Sequence, residues 1–342
     1  MSEGPLLDIR DLQVTYWRRT GFRRRPFHAV QGATLAIEPG QTLGIVGESG
    51  SGKSSIANAV LGLVPASAGA IGFAGHDLAS MRTHYPESVR AQMQAVFQDP
   101  FSSLNPSMTV EDIVTEPLKI HAAMSRAQRR ARAVELLEMV SLGATHLGRH
   151  PHQFSGGQRQ RIAIAAALAL EPKLVVLDEP VSALDVSTQN QIINLLHERR
   201  DALGIAYLLI AHDLALVHHI SERIAVMYLG HLVEEGPADR VYHSPAHPYT
   251  RALLDAVPLL DPARQRARRA ARKAAPAIDV PRAVHAGCPY TNRCPRVMAR
   301  CGSETPSAFP VAGGGMARCF LYAGGMEESG AGRSMETLHD AS

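Results

Sequence analysis

The stretch GESGSGKS, from Gly47 to Ser54, has the residue types and spacing of a loop that holds a polyphosphate. It fits the pattern G-x-x-x-x-G-K-S and lies between a strand pattern and a helical pattern. Glycines let successive backbone N–H groups converge on phosphate oxygens, and the following helix presents its positive end. Lys53 can reach the β and γ phosphates, and the Ser54 hydroxyl can bind magnesium. A flexible Gly/Ser loop is the alternative, but it would not need the flanking strand and helix.

Two adjacent carboxylates, Asp178 and Glu179, end the apolar run of LVVLDEP. Nucleotide hydrolysis needs an anchor for the metal and a group that positions water. Asp178 at the strand end suits magnesium, and Glu179 beside it can orient or deprotonate the attacking water. A solvated turn or a helix cap is the other interpretation of such a pair. Together with the phosphate loop, the pair predicts hydrolysis.

A second helix start that could bind an anion lies in FSGGQRQRIAIAAALAL, residues 154–170. Ser155 is a good N-cap, and Gly156 and Gly157 let a ligand approach the backbone. The Ala-rich run that follows predicts a helix buried on several faces. Because one nucleotide already has its phosphate loop, we expect this helix start to bind a nucleotide held by a second copy or a paralogue.

Three short apolar runs must position these groups: TLGIVG (42–47), KLVVLDE (173–179) and AYLLIAH (206–212). Each predicts a buried strand of four or five residues that ends at a polar residue, and helical patterns alternate with them, which indicates a mostly parallel sheet. Ligands of such sheets bind beyond the carboxyl ends of the strands. The region from about 99 to 160 contains only helical signals, so we predict a helical subdomain inserted there.

Length and composition favour a globular chain with one large domain and an appendage, or with two domains. It has 342 residues, of which 45% are apolar, enough for a packed core. No run approaches the roughly 18 apolar residues of a membrane span, and the start MSEGPLLDIRD has no signal-peptide pattern. We therefore expect neither export nor a membrane-spanning segment.

The basic charge is local. Residues 262–282 hold six Arg, one Lys and one Asp, a local charge of +6 within a net +3, so the rest of the chain carries −3. A second cluster, Arg18, Arg19, Arg23, Arg24 and Arg25, is predicted to lie in a short loop. Solvated loop or linker is the simpler interpretation of both clusters, and contact with RNA or anionic lipid is the alternative.

In this order and at these spacings, GESGSGKS, FSGGQ, LVVLDEP, SALD and AHD resemble the nucleotide-binding subunit of an ABC transporter. The resemblance covers residues 6–255. It implies a P-loop ATPase core with a mostly parallel α/β sheet, an N-terminal antiparallel β subdomain and an inserted helical subdomain. Within the family, VFQDPFSSLNPSMTVEDIVTEPL, SPAHPYTRALLDAVP and a C-terminal cysteine segment are similar to ATPases of oligopeptide and dipeptide importers.

The resemblance also implies roles for single residues. Gln98 matches a glutamine that contacts magnesium or water, His212 a histidine on the γ-phosphate, and Asp185 a residue that couples two nucleotide sites across a dimer. Tyr16 matches the aromatic residue that stacks on adenine, with Trp17 as competitor. The residues implied to bind ATP are Tyr16, Gly47, Ser49, Gly50, Gly52, Lys53, Ser54, Ser55, Ser155, Gly156, Gly157, Gln158 and Asp185. Those implied to bind Mg²⁺ are Ser54, Gln98 and Asp178. The implied catalytic residues are Glu179, His212 and Gln98.

Two positions depart from the family pattern. Phe154 opens the FSGGQ motif where leucine is usual, and Ala211 precedes His212 where a hydroxyl residue is common. Neither change removes a phosphate contact, so we expect both half-sites built by this chain to be active.

The only four cysteines, Cys288, Cys294, Cys301 and Cys319, are separated by 5, 6 and 17 residues. Clustered cysteines in a reducing compartment more often bind metal than form disulfides. The short C-x2-C or C-x4-C pair typical of zinc is missing. The resemblance to peptide-importer ATPases implies a [4Fe-4S] cluster, with zinc or unligated thiols as alternatives.

These features predict an ABC-type nucleotide-binding domain at 6–255, a linker at 256–284, a cysteine-rich extension at 285–325 and a tail at 326–342. The resemblance implies an ATPase that powers peptide uptake. Its partners would be a second ATPase subunit, two transmembrane permease subunits and an extracytoplasmic binding protein. The chain itself would lie at the cytoplasmic face of the membrane, and no nucleic acid is expected among its partners. Another cargo of the same family, such as nickel or glutathione, is one alternative. A soluble ABC ATPase acting on nucleic acid or translation is another, but such proteins usually carry two ATPase domains or a coiled-coil insertion.

Overall fold

The computed structural model of the chain describes residues 4–21, 23–98, 103–256 and 286–324. Its strands are β1 Leu7–Thr20, β2 Arg23–Ile37, β3 Thr42–Val46, β4 Ala68–Phe73, β5 His76–Asp77, β6 Met93–Val96, β7 Leu174–Asp178, β8 Ala206–Ala211, β9 Arg223–Tyr228, β10 His231–Pro237, β11 Phe309–Pro310 and β12 Met316–Ala317. Its helices are α1 Lys53–Val60, α2 Leu78–Met81, α3 Glu87–Gln92, α4 Val110–His121, α5 Arg126–Met139, α6 Gly156–Leu168, α7 Val186–Leu203, α8 Leu214–Ile220, α9 Ala238–His243 and α10 Pro248–Ala256.

Two sheets organise the fold. An antiparallel sheet in the order β2-β1-β4-β5 forms the N-terminal β subdomain. The larger sheet has the order β11-β12-β10-β9-β3-β8-β7-β6, parallel from β9 to β6 and antiparallel from β9 to β11. The predicted α/β architecture with an antiparallel β subdomain is confirmed.

The central strands lie between two hydrophobic cores, which explains why their sequences are apolar throughout. In β8, Leu208 and Ile210 face the core shared with the β subdomain, whereas Tyr207 and Leu209 face the core beneath the helices. All five residues of β3 are buried. Because side chains alternate between the faces of a strand, both sets must be apolar.

The helical subdomain predicted for 99–160 contains α4, α5 and the start of α6, which pack on one another. Sequence-encoded caps begin these helices. The Thr109 hydroxyl caps α4, and Ser125 and Gln128 form a capping box on α5. The boundaries of this subdomain remain a prediction, and residues 99–102 lie outside the described chain.

The prediction that the cluster of arginines between Arg18 and Arg25 lies in a loop is wrong. Strands β1 and β2 form one long hairpin that turns at Gly21, and its register pairs Arg18 with Arg25 and Arg19 with Arg24. The guanidinium of Arg18 lies 3.8 Å from the centroid of the Phe27 ring. Because backbone pairing continues across the hairpin, these charged positions remain in strands despite their low strand propensity.

The cysteine-bearing extension joins the main sheet. Strand β12 pairs with β10, so that Glu234 lies opposite Ala317. Cys288, Cys301 and Phe320 belong to the same core cluster as β7 and β8. The extension therefore packs against the core of the α/β domain. The predicted linker beyond Ala256 and the predicted tail at 326–342 lie outside the described residues.

None of the helices in the described part of the chain is both long enough and apolar enough to cross a membrane.

Candidate functional site

The predicted phosphate loop lies between β3 and α1, and its glycines allow close packing. A Cβ atom at Gly47 would lie 2.1 Å from the carbonyl oxygen of Met227. A Cβ atom at Gly52 would lie 2.1 Å from the carbonyl oxygen of Ala29, and Gly52 has a left-handed φ of 107°. Such backbone is costly for any other residue. The loop is thus held between β2, β9 and α1.

Lys53 lies at the centre of this loop and is 5% exposed. Its ammonium group donates to the carbonyl oxygens of Gly47 at 2.8 Å and Glu48 at 3.0 Å. Burial lowers the pKa of Lys53, and the nearby carboxylates of Glu179, Asp178 and Glu48 oppose that effect. A buried cation beside a loop rich in backbone N–H groups suits a polyphosphate.

Ser54 and Asp178 come together from opposite sides of the site. The Ser54 hydroxyl donates to Oδ1 of Asp178 at 3.1 Å. Burial raises the pKa of Asp178, and the hydrogen bond from Ser54 counteracts it. A hydroxyl and a carboxylate at this distance form the oxygen donor set that Mg²⁺ prefers.

The other two predicted catalytic residues, Gln98 and His212, both lie close to the carboxylate of Glu179. Nε2 of Gln98 donates to Oε2 of Glu179 at 2.9 Å, and Nδ1 of His212 lies 3.5 Å from the same oxygen. Glu179 has a left-handed φ of 47°, and its N–H donates to the carbonyl of Ile210 at 2.8 Å. Strained backbone of this kind is concentrated at functional sites. The ends of β6, β7 and β8 thus bring Gln98, Glu179 and His212 together, as the sequence predicts.

A cleft of about 520 Å³ joins the phosphate loop, Gln98 and Glu179 to the β subdomain. The Tyr16 hydroxyl donates to Oγ of Ser55 at 3.3 Å, whereas Trp17 is 66% exposed. Because neighbours in a strand point to opposite faces, only one of the two can face the cleft, and that residue is Tyr16. The lining consists of Tyr16, Arg18, Phe27, Ala29, Ser49, Gly50, Gly52, Lys53, Ser54, Ser55, Gln98 and Glu179.

The FSGGQ motif and Asp185 do not line this cleft. Ser155 and Gln158 form a capping box at the start of α6, with hydrogen bonds of 3.1 and 3.3 Å. Asp185 caps α7, and a Cβ atom at Gly157 would lie 2.3 Å from the Thr188 side chain. The two helix starts therefore pack side by side. A role on a nucleotide held by another subunit stays a prediction.

Sequence reasoning missed two residues that contact the phosphate loop at Glu48. The N–H of Glu48 donates to the Tyr249 hydroxyl at 2.9 Å. Nη1 of Arg293 lies 2.9 and 3.1 Å from the two carboxylate oxygens of Glu48. The partners of Glu48 are 201 and 245 residues away in the sequence, so no local pattern could predict them.

The four cysteines are free thiols at the base of the extension, three of them buried. The sulfurs of Cys288, Cys294 and Cys319 each accept a backbone N–H from the residue two positions later. Burial raises the pKa of all three thiols, that of Cys319 to about 11, and the Cys319 thiol interacts with the other three. The fold thus brings the four thiols near enough to interact electrostatically, with backbone N–H donors on three of them.

The spacing of these thiols is wider than a single ion requires. In the described part of the chain, the one group of three potential metal ligands whose atoms lie within 4.8 Å of one another is His218, Asp239 and His243. Tetrahedral zinc with Zn–S bonds of about 2.3 Å would place thiolates about 3.8 Å apart. No three of the four sulfurs are therefore placed as they would be in a preformed tetrahedral zinc site.

Comparison with family models gives two matches. The model for "ABC transporter" matches residues 30–182, and the model for "Oligopeptide/dipeptide transporter, C-terminal region" matches residues 233–301.

Two relatives have named functions. The chain is 46% identical over 307 residues to the oligopeptide transport ATP-binding protein OppF of Escherichia coli, covering 88% of this chain and 92% of that protein. It is 48% identical over 268 residues to the glutathione import ATP-binding protein GsiA of Escherichia coli, covering 78% of this chain and 43% of that protein.

Solved structures agree with these matches. The ATP-binding cassette MJ0796, a dimer in a post-hydrolysis state bound to ADP and phosphate, is 30% identical with a TM-score of 0.60, over 68% of this chain and 98% of that one. CbiO1 of Clostridium perfringens, part of the ABC transporter complex cbiONQ, is 26% identical with a TM-score of 0.61, over 71% and 92%. The chain belongs to the family of ABC transporter ATP-binding subunits, in the oligopeptide and dipeptide branch, and is an ABC-type ATPase.

Proposed function

We propose that the chain hydrolyses ATP to power the uptake of peptides through an importer in the cytoplasmic membrane. The observation that carries this proposal is the 46% identity to an oligopeptide transport ATPase over 92% of that protein's length, with a separate match to the peptide-transporter C-terminal region. Glutathione, itself a small peptide, is a second candidate cargo because the chain is 48% identical to a glutathione import ATPase over 268 residues. Nickel has no comparable support here.

The geometry supports the following role for each residue in hydrolysis. Lys53 would pair with the β and γ phosphates, and Ser54 and Asp178 would hold the magnesium ion. Glu179 would orient the attacking water and accept its proton. Gln98 and His212, both within 3.5 Å of Glu179, would keep that carboxylate in place beside the γ-phosphate.

Tyr16 would stack on the adenine ring. It lines the same cleft as Ser49 and Lys53 of the phosphate loop, and its hydroxyl donates to Oγ of Ser55. Aromatic faces bind a nucleobase with little sequence or shape restriction. Trp17, on the opposite face of β1, would not contact the nucleotide.

The FSGGQ motif would complete the nucleotide site of a second ATPase subunit. Ser155, Gly156, Gly157 and Gln158 form a helix N-terminus, which favours a phosphate. Asp185, beside that helix start, would couple the two sites. In such a pair of subunits, each nucleotide site would be completed by the FSGGQ motif of the other chain.

The remaining partners would be two transmembrane permease subunits and an extracytoplasmic binding protein. The chain itself would act as a peripheral subunit at the cytoplasmic face, without nucleic acid. Co-expression with candidate permease subunits tests this: the chain should copurify with them, and peptide-loaded binding protein should raise ATP hydrolysis severalfold. A chain that hydrolyses ATP maximally without any membrane partner, and responds instead to RNA, would support the soluble alternative.

We further propose that the four cysteines hold a [4Fe-4S] cluster. Cys288, Cys294, Cys301 and Cys319 supply four sulfur donors, and backbone N–H groups reach three of them. Such hydrogen bonds are typical of iron–sulfur sites. When bound, the cluster would supply covalent iron–sulfur links that tie the segments of the extension together.

Anaerobic purification tests the cysteine proposal. The protein should be brown, with absorbance near about 400 nm and about four iron and four sulfide per chain, and Cys294→Ser should bleach it. Colourless protein with one zinc per chain would replace the cluster by a zinc site. Metal-free protein with four titratable thiols would exclude ligation.

A further inference from the structure

The cysteine-bearing extension contacts the phosphate loop through one ion pair. Nη1 of Arg293, the residue before Cys294, lies 2.9 Å and 3.1 Å from the carboxylate oxygens of Glu48, the second residue of GESGSGKS. The Arg293 side chain is 30% exposed and that of Glu48 is 45% exposed. Both charges are thus partly shielded from water, and their pairing is stronger than that of two freely solvated side chains.

The backbone of Glu48 is held from the same side. Its N–H donates to the Tyr249 hydroxyl at 2.9 Å. Tyr249 is 1% exposed, and its ring packs against Tyr228 and Tyr290 with centroid distances of 4.5 Å and 5.4 Å. Tyr290 directly precedes the short helical turn that carries Arg293. The Glu48 side chain therefore contacts Arg293, and its backbone contacts the tyrosine cluster formed by Tyr228, Tyr249 and Tyr290.

This tyrosine cluster is fixed to the main sheet. The buried carboxylate of Glu234 accepts the N–H groups of Ala246 and His247, both at 2.8 Å, just before the helix that carries Tyr249. Glu234 lies on β10, and opposite it on β12 is Ala317 of the extension. Because Tyr290 belongs to the extension and packs on Tyr249, the extension contributes directly to this cluster.

The charge of Glu48 gives this contact a consequence for ligand binding. Glu48 lies in a loop built to hold several phosphate groups, and its own carbonyl accepts from the Lys53 ammonium at 3.0 Å. An unpaired carboxylate at this place would repel a polyphosphate. It would also compete with the phosphate groups for the Lys53 ammonium. A guanidinium stays charged at every relevant pH, and it can hold a carboxylate in a fixed orientation.

We propose that Arg293 is a positioning residue for nucleotide binding: from the extension it neutralises Glu48 and holds the phosphate loop in shape. The affinity for nucleotide then depends on the extension, and binding of nucleotide stabilises the extension in turn. The proposal rests on the nucleotide site proposed above. Since the pair is partly exposed, its loss should weaken binding by only about threefold to fivefold.

A double-mutant cycle on the full chain tests the pair, with Mg²⁺ and a fluorescent ADP analogue as the probe. Arg293→Gln should weaken binding by about threefold to fivefold, and Arg293→Lys should recover much of the loss. In the Glu48→Gln background, Arg293→Gln should have no further effect, because no carboxylate remains to be neutralised. This dependence on Glu48 separates a positioning role from a general structural one.

Arg300 offers a matched control. It directly precedes Cys301 as Arg293 precedes Cys294, but it pairs with Glu304 at 3.3 Å and lies over the Phe320 ring, away from the phosphate loop. Arg300→Gln should bind the probe like wild type. A loss of affinity equal to that of Arg293→Gln would overturn the proposal, because it would indicate general damage to the extension.

Reciprocity provides a second measurement. Mg²⁺ and ADP should slow amide hydrogen exchange in residues 286–324 of the wild-type chain, and this protection should shrink in Arg293→Gln. Equal protection in both chains, or full affinity in Arg293→Gln, would refute the coupling. Wild-type chain that binds no nucleotide at all would instead refute the nucleotide site itself.

Discussion

Replacing Glu179 by glutamine should separate nucleotide binding from turnover. The substitution keeps the shape of the side chain and an oxygen that can accept from Nε2 of Gln98, now 2.9 Å away. It removes the carboxylate that would orient water and take up its proton. The contacts of Lys53, Ser54 and Asp178 are unchanged, so the affinity for Mg²⁺ and ATP should be retained.

Hydrolysis by Glu179→Gln should fall at least about a hundredfold, which corresponds to roughly 2.7 kcal/mol of barrier. Release of phosphate by the assembled complex measures the rate, and equilibrium binding of a fluorescent ATP analogue measures the affinity. Glu198→Gln is a suitable control, because Glu198 pairs with Arg199 on the surface and its side chain is 66% exposed. If Glu179→Gln retains a tenth or more of wild-type turnover, Glu179 is not the catalytic base.

Ser155→Arg should leave nucleotide binding by the single chain intact while abolishing ATP-driven pairing and hydrolysis. Ser125→Arg removes an equivalent capping box on α5 and should keep ATP-driven pairing and hydrolysis. Sedimentation with ATP, which measures pairing, distinguishes the two variants. Gly52→Ala should weaken nucleotide binding at least about tenfold and lower the melting temperature, because its Cβ would meet backbone at 2.1 Å. Gly148→Ala, with open space around it, should match wild type in both measurements. Burial lowers the pKa of His247 to about 4. As the pH falls, the His247 imidazole therefore takes up a proton in the unfolded chain before it does so in the folded chain. Stability should therefore be lost below about pH 6.5, by roughly 2 kcal/mol between pH 6.5 and 5, and His247→Asn should reduce that slope in urea unfolding; an unchanged slope would exclude His247 as the cause.

Local sequence predicts the parts of the site that depend on strand ends and loop chemistry. The phosphate loop, Asp178 and Glu179 each follow a buried strand whose apolar run is visible without a structure. Parallel pairing then brings the strand ends together, which is why Gln98 and His212 meet at Glu179.

Other features depend on pairing that no local pattern records. The arginines of the β1–β2 hairpin favour loop or linker by residue type, yet the register continues through them because the backbone ladder supplies the hydrogen bonds. The contact of Arg293 with Glu48 joins residues 245 positions apart, and only the docking of the extension on β10 creates it. Tertiary packing, rather than propensity, decides both cases.

Peptide uptake into proteoliposomes tests the central claim most directly. A complex of this chain with its permease subunits and binding protein, reconstituted with ATP on the side of the chain, should accumulate a labelled oligopeptide. The same complex carrying Glu179→Gln should bind ATP and accumulate no peptide beyond the level without ATP. Uptake that proceeds equally with Glu179→Gln, or ATP hydrolysis by the wild-type complex that never moves peptide or glutathione, would contradict the proposal that this chain powers peptide import.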